Sequence, residues 1–377
     1  MRITFFTPYY LPYISGLTLY PSRVLPLLPK KYTTTVLTFR HVSDLSSNEV
    51  VDGVAVKRMP YLFTVSKGFI SPQSLFFFAK QVVRSDVLLV NLPSVEGLPA
   101  VLMAKLMGKK VISLFHCDIT MNQSFWEKQL SLLIRKLVII QLKMSHAILA
   151  YTQDYIASLS YASVFADKTI YSLPPVAHEI ADHEYFSYLK SIKKNNYWIG
   201  FVGRIAREKG IEVAIEAMKK MPRTSVLVLV GPKGDEVAGE SQYYEFIQSL
   251  LKKSGIKYLL LPTLRGEKLS SLYQALDVLI LPSINQTEAF GMVQAEAMLQ
   301  GTPVIASDLP GVRCTINKTQ AGLLVETGSV TSLIQALQKV SLASWSRKEI
   351  KQKAQAIFST TAVTARMIEA IGTIEKP

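Results

Sequence analysis

Short runs of Val, Ile, Leu and Phe alternate along the chain with longer segments whose apolar residues recur every three or four positions. In the first half the runs are RITFFTP, TTTVLTF, DVLLVNL, KVISLFH, HAILAYT and TIYSLPP. In the second half they are YWIGFVG, SVLVLVG, YLLLPT, DVLILPS, PVIASD and GLLVE. Apolar residues within these runs are nearly continuous rather than alternating. That is the pattern of strands covered on both faces, and it predicts parallel sheets flanked by helices. Alternation of strand and helix in both halves predicts an α/β protein of two doubly wound domains. The break falls in LPPVAHEIADHEYFSYLKSIKKNN, where Pro174 and Pro175 end the first strand series and a fresh run opens at Tyr197. The expected domains are residues 1–178 and 195–355. A strandless, helically spaced stretch follows from Trp345, and its end, residues 356–377, is expected to pack back on the first domain as a C-terminal helix.

At 377 residues, 49% hydrophobic and 19% charged, the chain suits two cores better than one. No apolar run reaches the length needed to span a bilayer. The opening MRITFFTPYYLPYISG reads as a buried strand and a loop rather than as a signal peptide. Cys117 and Cys314 have neither disulfide nor zinc spacing, so a reducing cytosol is the expected home. The formal charge of +14 fits either a solvated basic surface or a polyanionic partner. Nucleic acid is not expected as that partner, because the basic residues are scattered and no nucleic-acid motif occurs. The anionic inner leaflet of a membrane remains. SPQSLFFFAKQVVR and SFWEKQLSLLIRKLVIIQLKM combine aromatic, aliphatic and basic residues at helical spacing. They fit core-facing amphipathic helices, or a weak, reversible contact with anionic lipid.

Two segments carry candidate chemistry. In GFVGRIAREKGIEVAIEAM a buried strand ends at Gly203, Arg204 and Lys209 flank a short loop, and a helix starts near Ile211. Ligands of open α/β sheets bind beyond the carboxyl ends of strands. Gly203 permits close backbone approach, and the helix N-terminus favours an anion. Arg204 offers a two-pronged grip on phosphate and Lys209 a point charge. A lone Arg and Lys in a surface loop read equally well as solvated cations, and only their place after a strand turns the reading toward a ligand. In PSINQTEAFGMVQAEAMLQGTPVIASD, Glu288 precedes a helix that Phe290, Gly291 and Met292 open, and Glu296 lies on it. Eight residues of helix span about 12 Å, comparable to the distance from a sugar to the ribose of its nucleotide. Carboxylates accept from vicinal hydroxyls. Neither a dinucleotide fingerprint nor a Walker loop is present, which weighs against a nicotinamide enzyme and a P-loop ATPase. No Asp-x-Asp and no His–carboxylate cluster with ligand spacing occurs, so no metal site is expected.

These residues resemble the retaining GT-B glycosyltransferases of family 4. The resemblance runs through GFVGRIAREKG, LVGPKG, YQALDVLILPS, TEAFGMVQAEAMLQGTPVIASDLPGV and AGLLVETGS, in order and at family-like spacing. Over the first domain it rests on a strand start, the loop PYYLPYISGLT, and FHCD after a buried strand. It implies two Rossmann-like domains facing across a cleft. It also implies that Arg204 and Lys209 bind the donor diphosphate. Glu288 then binds donor-sugar hydroxyls, with the amides of Phe290, Gly291 and Met292, and Glu296 binds the ribose. Thr263, Leu264 and Arg265 border the base, Gly16 belongs to a glycine loop near the phosphate, and His116 is the active-site histidine facing the donor sugar. Two departures stand out. The first loop reads Ser15-Gly16-Leu17-Thr18 where many members have Gly-Gly and a nearby Glu, and Cys117-Asp118 follows the histidine where many have Gly-Asp.

The implied reaction is sugar transfer from an NDP-sugar to an acceptor hydroxyl with configuration retained, without metal or other cofactor, in bacterial glycolipid or polysaccharide biosynthesis. The acceptor, the base and the sugar stay open. Two alternatives also stay open: an NDP-sugar epimerase of the same architecture, and a non-catalytic nucleotide-sugar-binding subunit. The protein is expected in the cytoplasm, peripheral to the inner face of the membrane if the lipid contact is real.

Overall fold

The computed structural model describes residues 1–13, 15–65, 68–119, 125–176, 179–237, 240–343, 345–358 and 360–375. Residue 178, the expected end of the first domain, lies outside them. The chain divides into two compact units, Met1–Pro175 with Thr360–Pro377, and Val176–Ser359.

The first unit holds β1 (Arg2–Phe6), β2 (Thr33–Phe39), β3 (Asn48–Val51), β4 (Val54–Met59), β5 (Phe63–Val65), β6 (Gly68–Ile70), β7 (Val87–Leu92), β8 (Lys110–Phe115), β9 (Ala147–Ala150) and β10 (Thr169–Tyr171). Eight of these form one sheet in the order β10-β9-β8-β7-β1-β2-β4-β3, while β5 and β6 pair as a separate hairpin. Every pairing in the large sheet is parallel except β3 with β4. The β7 run VLLVNL is buried throughout, as a strand with helices on both faces must be.

The second unit holds β11 (Tyr197–Val202), β12 (Ser225–Val230), β13 (Lys257–Leu261), β14 (Val278–Leu281), β15 (Val304–Ser307) and β16 (Gly322–Val325). They form an all-parallel sheet in the order β13-β12-β11-β14-β15-β16. This is the doubly wound Rossmann order, with its topological switch between β11 and β14. Ile199, Phe201, Leu227, Leu229, Val278, Ile280 and Ile305 project from these strands into one buried cluster. With six parallel strands, the loops after β11, β12, β13 and β14 all leave from one edge.

All twelve apolar runs form strands, and both units are Rossmann-like. The unit limits differ from the expected ones. Helix His183–Lys193 belongs to the second unit, where the sequence left only a link. Lys193 Nζ lies 2.7 Å from the Asp277 carboxylate, which also accepts the Trp198 N–H at 2.6 Å and so ties the helix to β11. Helix Arg347–Ile357 also stays with the second unit. Arg347 donates to Gln274 O at 2.9 Å and to Leu276 O, and Ile350 and Ala354 are buried. A limit at 355 therefore cuts this helix, and only helix Thr360–Glu375 returns to the first unit.

Candidate functional site

The second unit builds its site at the switch point. The loop after β11 passes Gly203 and Arg204, makes a 3₁₀ turn at Arg207–Lys209 and enters helix Ile211–Met218 at Gly210. Gly210 sits at φ +62°, and a Cβ there would come within 2.3 Å of the Pro282 carbonyl oxygen. Only glycine lets this turn lie against the end of β14. Ile284 N–H then donates to Glu208 O at 2.9 Å, latching the two loops together.

That latch brings Lys209 onto Glu288. The ammonium donates to Glu288 Oε2, and the Ser283 hydroxyl donates to the same oxygen at 3.4 Å. Lys209 and Glu288 side chains are each 15% exposed, so the pair is sheltered but reachable. Burial pushes the Glu288 carboxyl up, but Lys209, with help from Arg204 and Ser283, outweighs it and holds the group below its ordinary range. Glu288 is thus an ionised acceptor at neutral pH. Arg204 is more exposed and donates to Glu208 Oε1 at 2.8 Å.

Beyond Glu288, Gly291 at φ +73° starts helix Met292–Leu299 with no side-chain cap. A Cβ at Gly291 would lie 2.5 Å from Leu281 Cδ2. The first N–H groups of a helix have no partner within it, so the helix start favours an anion or a hydroxyl oxygen. Further along this helix, Glu296 Oε2 accepts the Tyr273 hydroxyl at 2.9 Å. Burial, reinforced by that carboxylate, pushes the Tyr273 phenol far up, so it stays a donor and fixes Glu296. Tyr273 lies on helix Gly266–Ala275, whose N-cap is Arg265. Thr263, Leu264 and Arg265 follow β13 on the same sheet edge, with Thr263 and Leu264 half-buried and Arg265 exposed. Gly203 follows β11 directly and donates its N–H to Val230 O at 2.9 Å. Among the described residues, no three His, Cys, Asp or Glu side chains converge to hold a metal ion.

Sequence reasoning assigned no role to Glu208, Ser283 or Tyr273. All three stand inside quoted segments, in GFVGRIAREKG, DVLILPS and YQALDVLILPS, and their residue types alone gave no reason to single them out.

Gly16 and His116 belong to the first unit. Gly16 opens helix Gly16–Val24, where Thr18 Oγ1 accepts the Ser15 N–H at 2.9 Å and donates to Tyr13 O at 2.8 Å. The departure Ser15-Gly16-Leu17-Thr18 therefore has a local reason: it closes the helix start on itself. His116 follows β8 and is buried, with Nε2 on Asn91 Oδ1 and Nδ1 on the Tyr151 hydroxyl. Asn91 Nδ2 donates to Leu17 O at 2.9 Å and to Thr7 Oγ1 at 3.1 Å, which fixes its Oδ1 as an acceptor. His116 is then the Nε2–H tautomer and accepts the Tyr151 proton at Nδ1. Burial pushes its pKa down to about 3, so the ring is neutral.

Residues 189–357 match the family described as glycosyl transferases group 1. The second unit carries a group 1 glycosyltransferase domain. Among curated relatives, a D-inositol 3-phosphate glycosyltransferase of Corynebacterium kroppenstedtii is 34% identical over 148 residues, covering 38% of this chain and 32% of that protein. An uncharacterized glycosyltransferase of Methanocaldococcus jannaschii is 31% identical over 160 residues, covering 42% and 39%. The chain thus spans about a third of the length of the curated relatives it matches. Among solved structures, Anabaena HepE in complex with UDP superposes with a TM-score of 0.80 at 16% identity, over 99% of this chain and 100% of that one. Sucrose-phosphate synthase from Thermosynechococcus elongatus superposes at 0.77 and 18% identity, over 99% and 98%. At these identities the likeness shows the fold, which is GT-B.

Proposed function

We propose that the chain is a retaining glycosyltransferase of family 4 that moves a sugar from an NDP-sugar to an acceptor hydroxyl without a metal ion. The observation that carries this reading is the Lys209–Glu288 pair at the β11/β14 switch point, beside Arg204 and a glycine-opened helix start. As the bond from the anomeric carbon to the β-phosphate oxygen breaks, negative charge collects on that phosphate. Lys209 and Arg204 are fixed cations that meet this charge with little reorganisation. Glu288, kept ionised, accepts donor-sugar hydroxyls. A carboxyl with a depressed pKa is a poor general acid, and the same-face reaction needs none: the departing phosphate oxygen takes the acceptor proton while the acceptor oxygen bonds to the anomeric carbon. Glu296, held by Tyr273, accepts the ribose hydroxyls, with residues 263–265 at the base. Phe290, Gly291 and Met292 supply amides, and Gly203 gives the backbone room.

HepE was crystallised with UDP and with UDP-glucose, so uridine nucleotides are the first donors to test. The setting is glycolipid or polysaccharide assembly, and peripheral contact with an anionic membrane would bring the enzyme to a lipid-borne acceptor. Thermal shift with UDP, GDP, ADP and their sugars identifies the base, because a ligand raises stability by mass action. Radiolabelled donor with lipid and glycan extracts, run with and without EDTA, then tests transfer. Labelled acceptor in both is the expected result. Activity that EDTA abolishes and magnesium restores rejects the metal-free mechanism, and donor binding without labelled acceptor rejects transfer.

A further inference from the structure

Three helices of the first unit share a surface that sugar transfer does not use. Helix Ser74–Val83 packs on helix Leu98–Leu106, which packs on helix Phe125–Met144. Their inner faces bury Phe78, Val101, Val138 and Leu142. Their outer faces remain apolar. On the longest helix Trp126, Leu130, Leu133 and Ile140 follow one another at steps of four, three and seven, which makes a single stripe. Trp126 is 80% exposed, and Phe76 at 66% and Leu106 at 88% continue the apolar surface on the two neighbouring helices.

The charges on this face have one sign. The three helices carry six Lys and Arg against one acid, Glu127. Two of the cations are committed internally, Arg135 to Asp118 at 2.8 Å and Lys105 to His146 at 3.3 Å. Lys136 and Lys143 are exposed and flank the apolar stripe by helical spacing, whereas exposed Lys128 lies on the far side of the helix from it, and Lys80 lies 5.9 Å from the centre of the Phe76 ring. Scattered exposed apolar residues are ordinary, but a contiguous patch marks an interaction. Protein interfaces are depleted in lysine, whereas lysines beside an apolar stripe that carries Trp are the mark of a helix lying in a lipid interface. No helix among the described residues is long and apolar enough to cross a membrane, so the face lies on the surface rather than through it.

We propose that this three-helix face docks on an anionic lipid bilayer. The stripe from Trp126 to Ile140 enters the boundary between headgroups and acyl chains, and Lys136 and Lys143 beside it lie against lipid phosphates. This gives the membrane contact of the proposed function a defined face, and its test needs neither donor nor acceptor. The full chain is sedimented with vesicles of phosphatidylcholine alone and with added phosphatidylglycerol, at low and high salt. Binding to the anionic vesicles alone, weakened by salt, is the expected result. The variant Lys136→Glu, Lys143→Glu should weaken it by about tenfold or more. The double variant Trp126→Ser, Leu133→Ser should weaken it without changing the charge. All four side chains are exposed, so the variants should melt with the parent. Absence of binding, equal binding to neutral vesicles, or binding that neither variant weakens overturns the proposal. So does a dimer, seen by sedimentation equilibrium, that the double variant dissociates, because the face then takes a second copy of the chain. A protein that binds vesicles but transfers no sugar would leave this inference standing and reject the proposed activity.

Discussion

At Glu288 two opposed effects meet: burial disfavours the carboxylate, and Lys209 more than restores it. The group's folded pKa lies below its unfolded value of 4.5, so its contribution to stability is full above 4.5 and is lost as pH falls through the lower folded value. Lys209→Met removes the main opposing charge and leaves burial dominant, so the folded pKa rises above the unfolded one. At neutral pH the variant should lose about 2–4 kcal/mol, the cost of removing one partner from a buried pair, reduced for partial exposure. That loss should shrink as pH falls through the raised pKa, because protonation relieves the unpaired charge. Thermal unfolding of both proteins from pH 7 to pH 4 reads the difference, and a gap that widens on acidification contradicts the argument. Glu288→Gln keeps the shape and removes the charge. Transfer should fall by about tenfold to a hundredfold, with free NDP affinity near wild type. A stable glycosyl adduct on Glu288 would instead make it a nucleophile. His116 behaves in the opposite sense to a surface histidine. With a folded pKa of about 3 against 6.5 unfolded, only the unfolded state takes up the proton in between. Stability is therefore full above 6.5 and falls as pH drops toward 3, by up to about 1.4 kcal/mol per pH unit. Subtracting the profile of His116→Gln isolates this slope, and a flat difference shows that the ring is not held neutral.

At the scale of elements, the site depends on how closely the β11 and β14 loops meet. Gly210→Ala would drive a methyl into Pro282 O from a left-handed backbone. Strain of about 1–2 kcal/mol from the conformation alone is expected, plus the displacement that relieves the contact. The displaced loop carries Lys209, so nucleotide affinity should fall with stability. Gly16→Ala is the control: nothing lies within 4 Å of its Cβ direction, and the residue opens a helix. It should fold within about 1 kcal/mol of wild type. Equal effects of the two changes on melting temperature would remove close loop packing as the reason for Gly210. The same elements show what the chain made legible. Every parallel strand except β4 announced itself as a nearly continuous apolar run, the pattern that burial on both faces demands. The β3–β4 hairpin did not, since NEVV and VAVKRM alternate and sit at a sheet edge. Its signal was Asp52-Gly53, both at positive φ, the turn that suits a two-residue hairpin. Arg204, Lys209 and Glu288 were legible as charges beside strand ends, and Glu296 as a carboxylate on the helix that follows. The partners that fix them, Glu208, Ser283 and Tyr273, were not: Glu208 and Ser283 lie close in sequence to Arg204 and Glu288, and Tyr273 on the preceding helix faces Glu296, but the turns and helix packing that aim each side chain are not written in its residue type.

At the scale of the molecule, one unit is continuous in sequence and the other is not. Helix Thr360–Glu375 returns to the first unit, where it packs on helix Gly16–Val24 and on β8, β9 and β10. Val363, Met367, Ala370 and Ile371 are buried in that contact. Each large apolar side chain buried there contributes about 1.5–3 kcal/mol, an upper value because unfolded chains already hide part of their surface. Removing everything after Phe358 should therefore cost the first unit several kcal/mol, most of the stability of a typical domain. The second unit keeps its sheet, its core and the Lys209–Glu288 pair, all of which lie before residue 359. The truncated protein should thus melt in two steps. The early step reports the first unit. The later step should still move upward when the nucleotide identified by thermal shift is added, because only a folded site binds it. Substituting Met367 and Ile371 together with Ala in the full chain should reproduce the early step in milder form, without touching the later one. If truncation instead lowers both steps together and abolishes the nucleotide response, the two units fold as one cooperative block. Stability of the donor site would then depend on a helix that contributes no residue to it.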